Sequence, residues 1–149
     1  MKSKLIAAAA ALTLGAGATI VWAAPPAQTI AARQANFKGM GKAFKTILDE
    51  MKKSDPSMTV LHGNAIVLAQ NAARVKGYFP RGTGPEAGVK TAALPVIWAR
   101  NGDFQATANQ LANSANALQS ASNPAAFKAA FGRLGGSCKS CHETFKAKD

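Results

Sequence analysis

Apolar residues recur along the chain in four blocks, at steps of three and four, the spacing that lays one stripe along an α-helix. In the first block Ile30, Phe37, Phe44 and Met51 stand seven apart with Met40 and Ile47 between them, which predicts a helix from about Thr29 to Lys53. Ser54-Asp55-Pro56 stops that helix and suggests the start of the next, with Asp55 as N-cap and Pro56 at the first helical position. The second helix carries Met58, Leu61, Ala65, Leu68, Ala72, Val75 and Phe79. From Pro80 to Pro95 the period disappears into Arg81-Gly82-Thr83-Gly84-Pro85-Glu86-Ala87-Gly88, a turn-forming stretch long enough to predict a functional loop. The third helix shows Ile97, Phe104, Ala108, Leu111, Ala115 and Leu118 and is expected to end near Ser122. Asn123-Pro124 repeats the cap-then-proline start, and Phe127, Phe131, Leu134, Cys138, Cys141 and Phe145 form the stripe of the fourth.

Four striped helices joined by two short turns and one longer loop predict an all-α fold, an antiparallel four-helix bundle. A chain of 149 residues with 48% apolar content holds one packed domain. Its first 23 residues read as something else. Lys2 and Lys4 make a basic start, Leu5 to Val21 is an apolar and small run, and Val21-Trp22-Ala23 is a small-residue cleavage site, so residues 1–23 are expected to be a cleaved signal peptide and 24–149 the domain. Cleavage after Ala27 is the alternative site. The run is near the lower length limit for a membrane span and rich in weakly apolar Ala and Gly, so a retained anchor is the poorer reading.

The chemistry concentrates in Cys138-Lys139-Ser140-Cys141-His142. Two thiols three apart, with a histidine directly after the second, are the pattern of covalent c-type haem attachment. The thiols can form thioethers to the two vinyl groups of one haem, and the neutral imidazole of His142 is a good iron ligand. A thioredoxin-like pair needs a βαβ context that this chain lacks near its C-terminus. A zinc site needs a fourth ligand, and after these three only His62 remains as a histidine, with no further Cys. A plain disulfide would close a very small loop, gain little chain entropy and leave His142 unexplained. Because both cysteines lie on the core stripe of the fourth helix, the haem is expected inside the bundle, where the Ala positions leave room and the long loop can wrap its edge.

Charge adds less. Removing residues 1–23 takes away two lysines and leaves 16 basic against 7 acidic side chains, an excess that suits scattered solvated lysines or an acidic partner. The charges are dispersed and few aromatics lie among them, which argues against nucleic acid. Haem attachment with an export signal places the protein in the periplasm, without stable membrane insertion after cleavage. No nucleophile–base pair or acidic dyad accompanies the haem motif, so an enzyme is not expected.

With these features in place the chain resembles the cytochrome c′ family, the class II c-type cytochromes. The resemblance rests on Arg33-Gln34-Ala35-Asn36-Phe37 with Met40, on Leu94-Pro95-Val96-Ile97-Trp98, and on Phe131-Gly132-Arg133-Leu134-Gly135-Gly136-Ser137-Cys138 running into Cys141 and His142 near the C-terminus. It implies one haem c, held by Cys138 and Cys141, with His142 as the sole strong axial ligand and a five-coordinate, high-spin iron. It further implies that Phe37 fills the distal position, that Arg33 pairs with a haem propionate and that Trp98 packs near the haem edge. Lys146 departs from the arginine usual in the family four residues after the ligand histidine, and loses its planar fork. The implied function is binding of nitric oxide or carbon monoxide together with one-electron redox change. The alternative is a low-spin electron carrier with Met40 as sixth ligand, serving an unknown periplasmic partner. His62, beside Leu61, reads as a surface residue. A homodimer is expected, paired through Val60 and Val67 on the second helix, with Gly63 between them, and Leu48 on the first.

Overall fold

The computed structural model describes residues 24–148, so the leader expected over 1–23 lies outside the described residues. Four long helices form the bundle: α1 (Pro26–Glu50), α2 (Met58–Arg74), then, after a one-turn α3 (Val96–Ala99), α4 (Asn101–Gln119) and α5 (Pro124–Phe145). The antiparallel bundle expected from the stripes is the observed fold. It departs from the expectation at both ends of α1, at the cap of α2, at the end of α2, where Val75–Tyr78 continues as a 3-10 turn and leaves Phe79 outside the helix, and in the third helix.

The helix α1 begins earlier, at Pro26, whose fixed φ and missing N–H suit the first helical position. Asp55 does not cap α2. Ser57 does: it is extended, its Oγ accepts from the Val60 N–H at 3.4 Å, and its own N–H donates to the Glu50 carboxylate at 2.9 Å, which fixes where the new helix starts. The expected third helix is broken, because Arg100 leaves helical geometry (φ −115°, ψ 51°) and separates α3 from α4. Asn123 caps α5 as expected, its side chain accepting from the Ala126 N–H at 2.9 Å with Pro124 next in line.

Ile30, Ile47, Leu61, Leu68, Val75, Ile97, Phe104, Leu118, Phe127 and Leu134 are the largest side chains of the fully buried core. Packing runs from α1 to α2, from α2 to α4 and from α4 to α5, while α1 and α5 hardly approach one another along their backbones. One end of that gap is closed by Phe44 stacked on Phe131, with ring centroids 4.4 Å apart. At the other end the 80–95 loop and the C-terminal tail meet: the Leu94 N–H donates to the Phe145 carbonyl at 3.0 Å and the Ala147 N–H to the Ala92 carbonyl at 2.8 Å. The space left between α1 and α5 is the site.

Candidate functional site

Steps of three and four along α5 bring Cys138, Cys141 and Phe145 to one wall of a cavity of about 490 Å³, and His142, exposed on its outer side, reaches the same wall. That volume is within the range of small-molecule and cofactor pockets. Both cysteines are free and half-buried. Burial raises the pKa of Cys138, and that of Cys141 to about 11, with the neighbouring Cys138 adding to the second shift. Both thiols are therefore neutral at physiological pH.

The facing wall comes from α1 and carries Arg33, Phe37, Met40, Gly41 and Phe44; Leu68, Phe79, Ile97, Phe104 and Leu111 close the back. Phe79 is the centre of an aromatic layer, its ring 4.6 Å from Phe104, 6.4 Å from Phe37 and 6.1 Å from Trp98. The lining is overwhelmingly apolar, as a flat hydrophobic macrocycle requires, and two thiols and an imidazole stand together on one side of it.

Arg33 is the charged residue on the α1 wall, beside the polar Gln34. It is only 3% exposed, and burial pulls its pKa down, an effect that Glu86 partly opposes. Its Nη2 donates to the Thr83 carbonyl at 3.0 Å and to Thr91 Oγ1 at 2.8 Å, its Nη1 contacts the Tyr78 carbonyl and Thr83 Oγ1 at 3.4 Å each, and its guanidinium lies 4.6 Å over the Phe79 ring. This one side chain ties the long loop to α1 and leaves a buried cation at the cavity edge, where an acidic group on a bound cofactor is favoured. The residues present thus fit a haem: thiols for its vinyl groups, an imidazole for its iron, apolar walls for its faces and a cation for a propionate.

Trp98 lies one layer further out. Its indole N–H donates to the Phe79 and Pro80 carbonyls at 3.1 and 3.0 Å, and Phe79 separates it from the cavity. Gly84 is needed beside it, since a Cβ there would come within 2.9 Å of the Trp98 ring. Met40 lines the cavity, and its sulfur accepts from Asn36 Nδ2 at 3.8 Å. Lys146 also lines it, half-buried and bridged to Ala93. His62 is away from the cavity, half-buried, with its ring 5.7 Å from Phe127. Sequence reasoning missed Thr83, Thr91 and Phe79. A buried arginine on a helix stripe needs acceptors, and threonines in the neighbouring loop were the available signal.

Residues 28–146 match the sequence pattern of the family described as Cytochrome C′. The chain belongs to the cytochrome c′ family. The cytochrome c′ of Rhodopseudomonas palustris is 33% identical over 150 residues, 99% of each chain. A solved cytochrome c′ described as having an unusual ligand-controlled dimer dissociation superposes with a TM-score of 0.77 at 28% identity, covering 85% of this chain and all of that one. The nitric oxide complex of a cytochrome c′ variant from Alcaligenes xylosoxidans superposes with a TM-score of 0.74 at 26% identity, covering 84% of this chain and 98% of that one. In a cytochrome c′ chain the cavity between α1 and α5 has an evident purpose, since cytochromes are haem proteins and this cavity carries the attachment motif on its wall.

Proposed function

We propose that this cytochrome c′ carries one haem c, bound through Cys138 and Cys141, with His142 as its axial ligand and the opposite iron face left open to nitric oxide or carbon monoxide. The single observation that supports this most is the composition of the two walls: an imidazole beside two thiols on α5, and across the cavity a phenyl ring, Phe37, that has no lone pair to offer a metal. Phe37 occupies the distal space, so an incoming molecule has to displace the ring. Small neutral diatomics require the least displacement. Dioxygen binds well only with a distal donor, which a phenyl ring does not supply, and anions would lose hydration in an apolar cavity. The nitric oxide complex of a structurally similar cytochrome c′ fits this reading.

A haem held by Cys138, Cys141 and His142 would also supply one-electron redox chemistry toward a periplasmic partner, and this reading gives the protein no enzymatic role. Residues 1–23 are a signal peptide that delivers it to the periplasm, with residues 24–149 as the mature domain. Among the described residues no helix is long and apolar enough to cross a membrane. Arg33 pairs with a propionate while it holds the loop, and Trp98 supports the haem edge through Phe79. Two copies associate through the exposed Leu48, Val60 and Val67; Ile66, beside Val67, is exposed as well, at 41%.

The optical spectrum of the reduced protein, with and without carbon monoxide, tests the central reading. A high-spin spectrum that carbon monoxide converts to a six-coordinate form is expected. A low-spin spectrum unmoved by the gas would show instead an electron carrier ligated by Met40.

A further inference from the structure

Among the described residues Met40 is the only thioether on the cavity wall. A thioether is a competent axial ligand for haem iron, and three rotatable bonds let methionine search for one. An open iron face therefore needs something that keeps Met40 off it. Phe37, three residues earlier, obstructs the space, but a ring that a diatomic can displace is an incomplete barrier.

Asn36 supplies the missing restraint. It lies four residues before Met40 on α1, is 7% exposed, and does not line the cavity. Its Nδ2 donates to the Asn71 carbonyl of α2 at 3.2 Å and to Met40 Sδ at 3.8 Å. The bond to Asn71 anchors the amide in the seam between α1 and α2 and decides its orientation, because only the nitrogen can donate to a carbonyl. The contact with Met40 then holds the sulfur beside that anchored amide. An N–H to sulfur bond is weak in itself. Breaking it, however, strands a buried donor, and an unmet buried donor costs more than the bond was worth.

We propose that Asn36 is a positioning residue for the open iron face: it holds the Met40 thioether in the α1–α2 seam and so keeps the sixth coordination position available to a diatomic ligand. This rests on the five-coordinate reading above. Asn36 acts on the competing internal ligand, whereas Phe37 acts on the incoming external one.

The test uses the haem-loaded, reduced protein. Asn36→Leu removes the donor at similar volume, and is expected to move the spectrum from high-spin toward six-coordinate low-spin. If four-fifths of the iron becomes thioether-bound, carbon monoxide association slows by roughly fivefold, because only the competent fraction reacts. Adding Met40→Leu to that variant should restore the five-coordinate spectrum, which identifies the Met40 thioether as the ligand that Asn36 had held back. Should the leucine fail to fold, Asn36→Ala removes the same donor without filling the seam and is read the same way. A folded variant that keeps the parent's high-spin spectrum and carbon monoxide rate overturns the inference, as does a low-spin form that persists in the Met40→Leu double variant. A parent protein that is already six-coordinate overturns the five-coordinate reading instead.

Discussion

Phe37 and Phe44 stand seven residues apart on one helix stripe and both line the cavity, yet their neighbours give them different tasks. Phe44 is committed to Phe131, with ring centroids 4.4 Å apart, and closes the end of the gap; Phe37 meets Phe79 only edge-on at 6.4 Å. Truncating Phe37 should therefore open the distal face, while truncating Phe44 should chiefly loosen the packing. We expect Phe37→Ala to speed carbon monoxide association by roughly tenfold, equivalent to about 1.4 kcal/mol of removed barrier, and to exceed the effect of Phe44→Ala. Stopped-flow rates equal to the parent's would remove Phe37 from the gate. The stripe alone could not separate the two rings, because the period reports which face is covered and not what covers it.

Between α1 and α2 the deciding group is Glu50. Its carboxylate, 6% exposed, pairs with Lys53 at 2.6 Å and accepts from the Ser57 N–H at 2.9 Å. Those two partners, Lys53 first, hold its pKa below the ordinary carboxylate value. A carboxylate whose folded pKa is lowered contributes stability that is present above its unfolded pKa of about 4.3 and is lost as pH falls through the folded value. Glu50→Gln keeps the shape and an acceptor but cannot titrate. We expect the parent to be the more stable at neutral pH and the difference to shrink as pH drops below about 4.3; denaturant melts that show a constant difference down to pH 2 would exclude this role. The same turn shows why Asp55 looked like the cap. Asp55-Pro56 is a good local start signal, but the carboxylate of Glu50 anchors Ser57, and that tertiary bond decides the helix start.

At the scale of the whole molecule, the cavity and the surface each carry an expectation. Without a haem, the apolar cavity of about 490 Å³ between α1 and α5 would stand open to water and leave its lining side chains without packing partners. Cys138→Ala with Cys141→Ala, which prevents covalent haem attachment, should therefore leave a molten or unstable chain. A cooperative thermal transition near that of the haem form would contradict haem as part of the core. On the outside, Leu48, Val60, Ile66 and Val67 are 37–41% exposed. A Cβ added at Gly63, between the two valines, would meet no other part of the chain within 4 Å, so a second copy could approach closely there. We expect Val60→Lys with Val67→Lys to sediment as a monomer, and an unchanged mass would remove this interface.

What the sequence by itself determined is everything carried by short-range order: the four stripes, the Asn123 cap, and the placement of Cys138, Cys141 and His142 on one helix at a spacing suited to one cofactor. These depend on residues within a few positions of one another, so the helical period transmits them directly. Only the tertiary structure decided the rest. Arg33 has its acceptors at Thr83 and Thr91, on a loop some fifty positions away, and so is a buried clamp on the loop as well as the cation expected at a propionate. Phe79, an ordinary stripe residue by its spacing, is the ring that joins Phe37, Phe104 and Trp98. The gap between α1 and α5 exists because α1 packs closely on α2, α2 on α4 and α4 on α5, while α1 and α5 do not meet in the same way. A period along one helix reports which side is apolar, whereas the distance between two helices depends on side chains from both together.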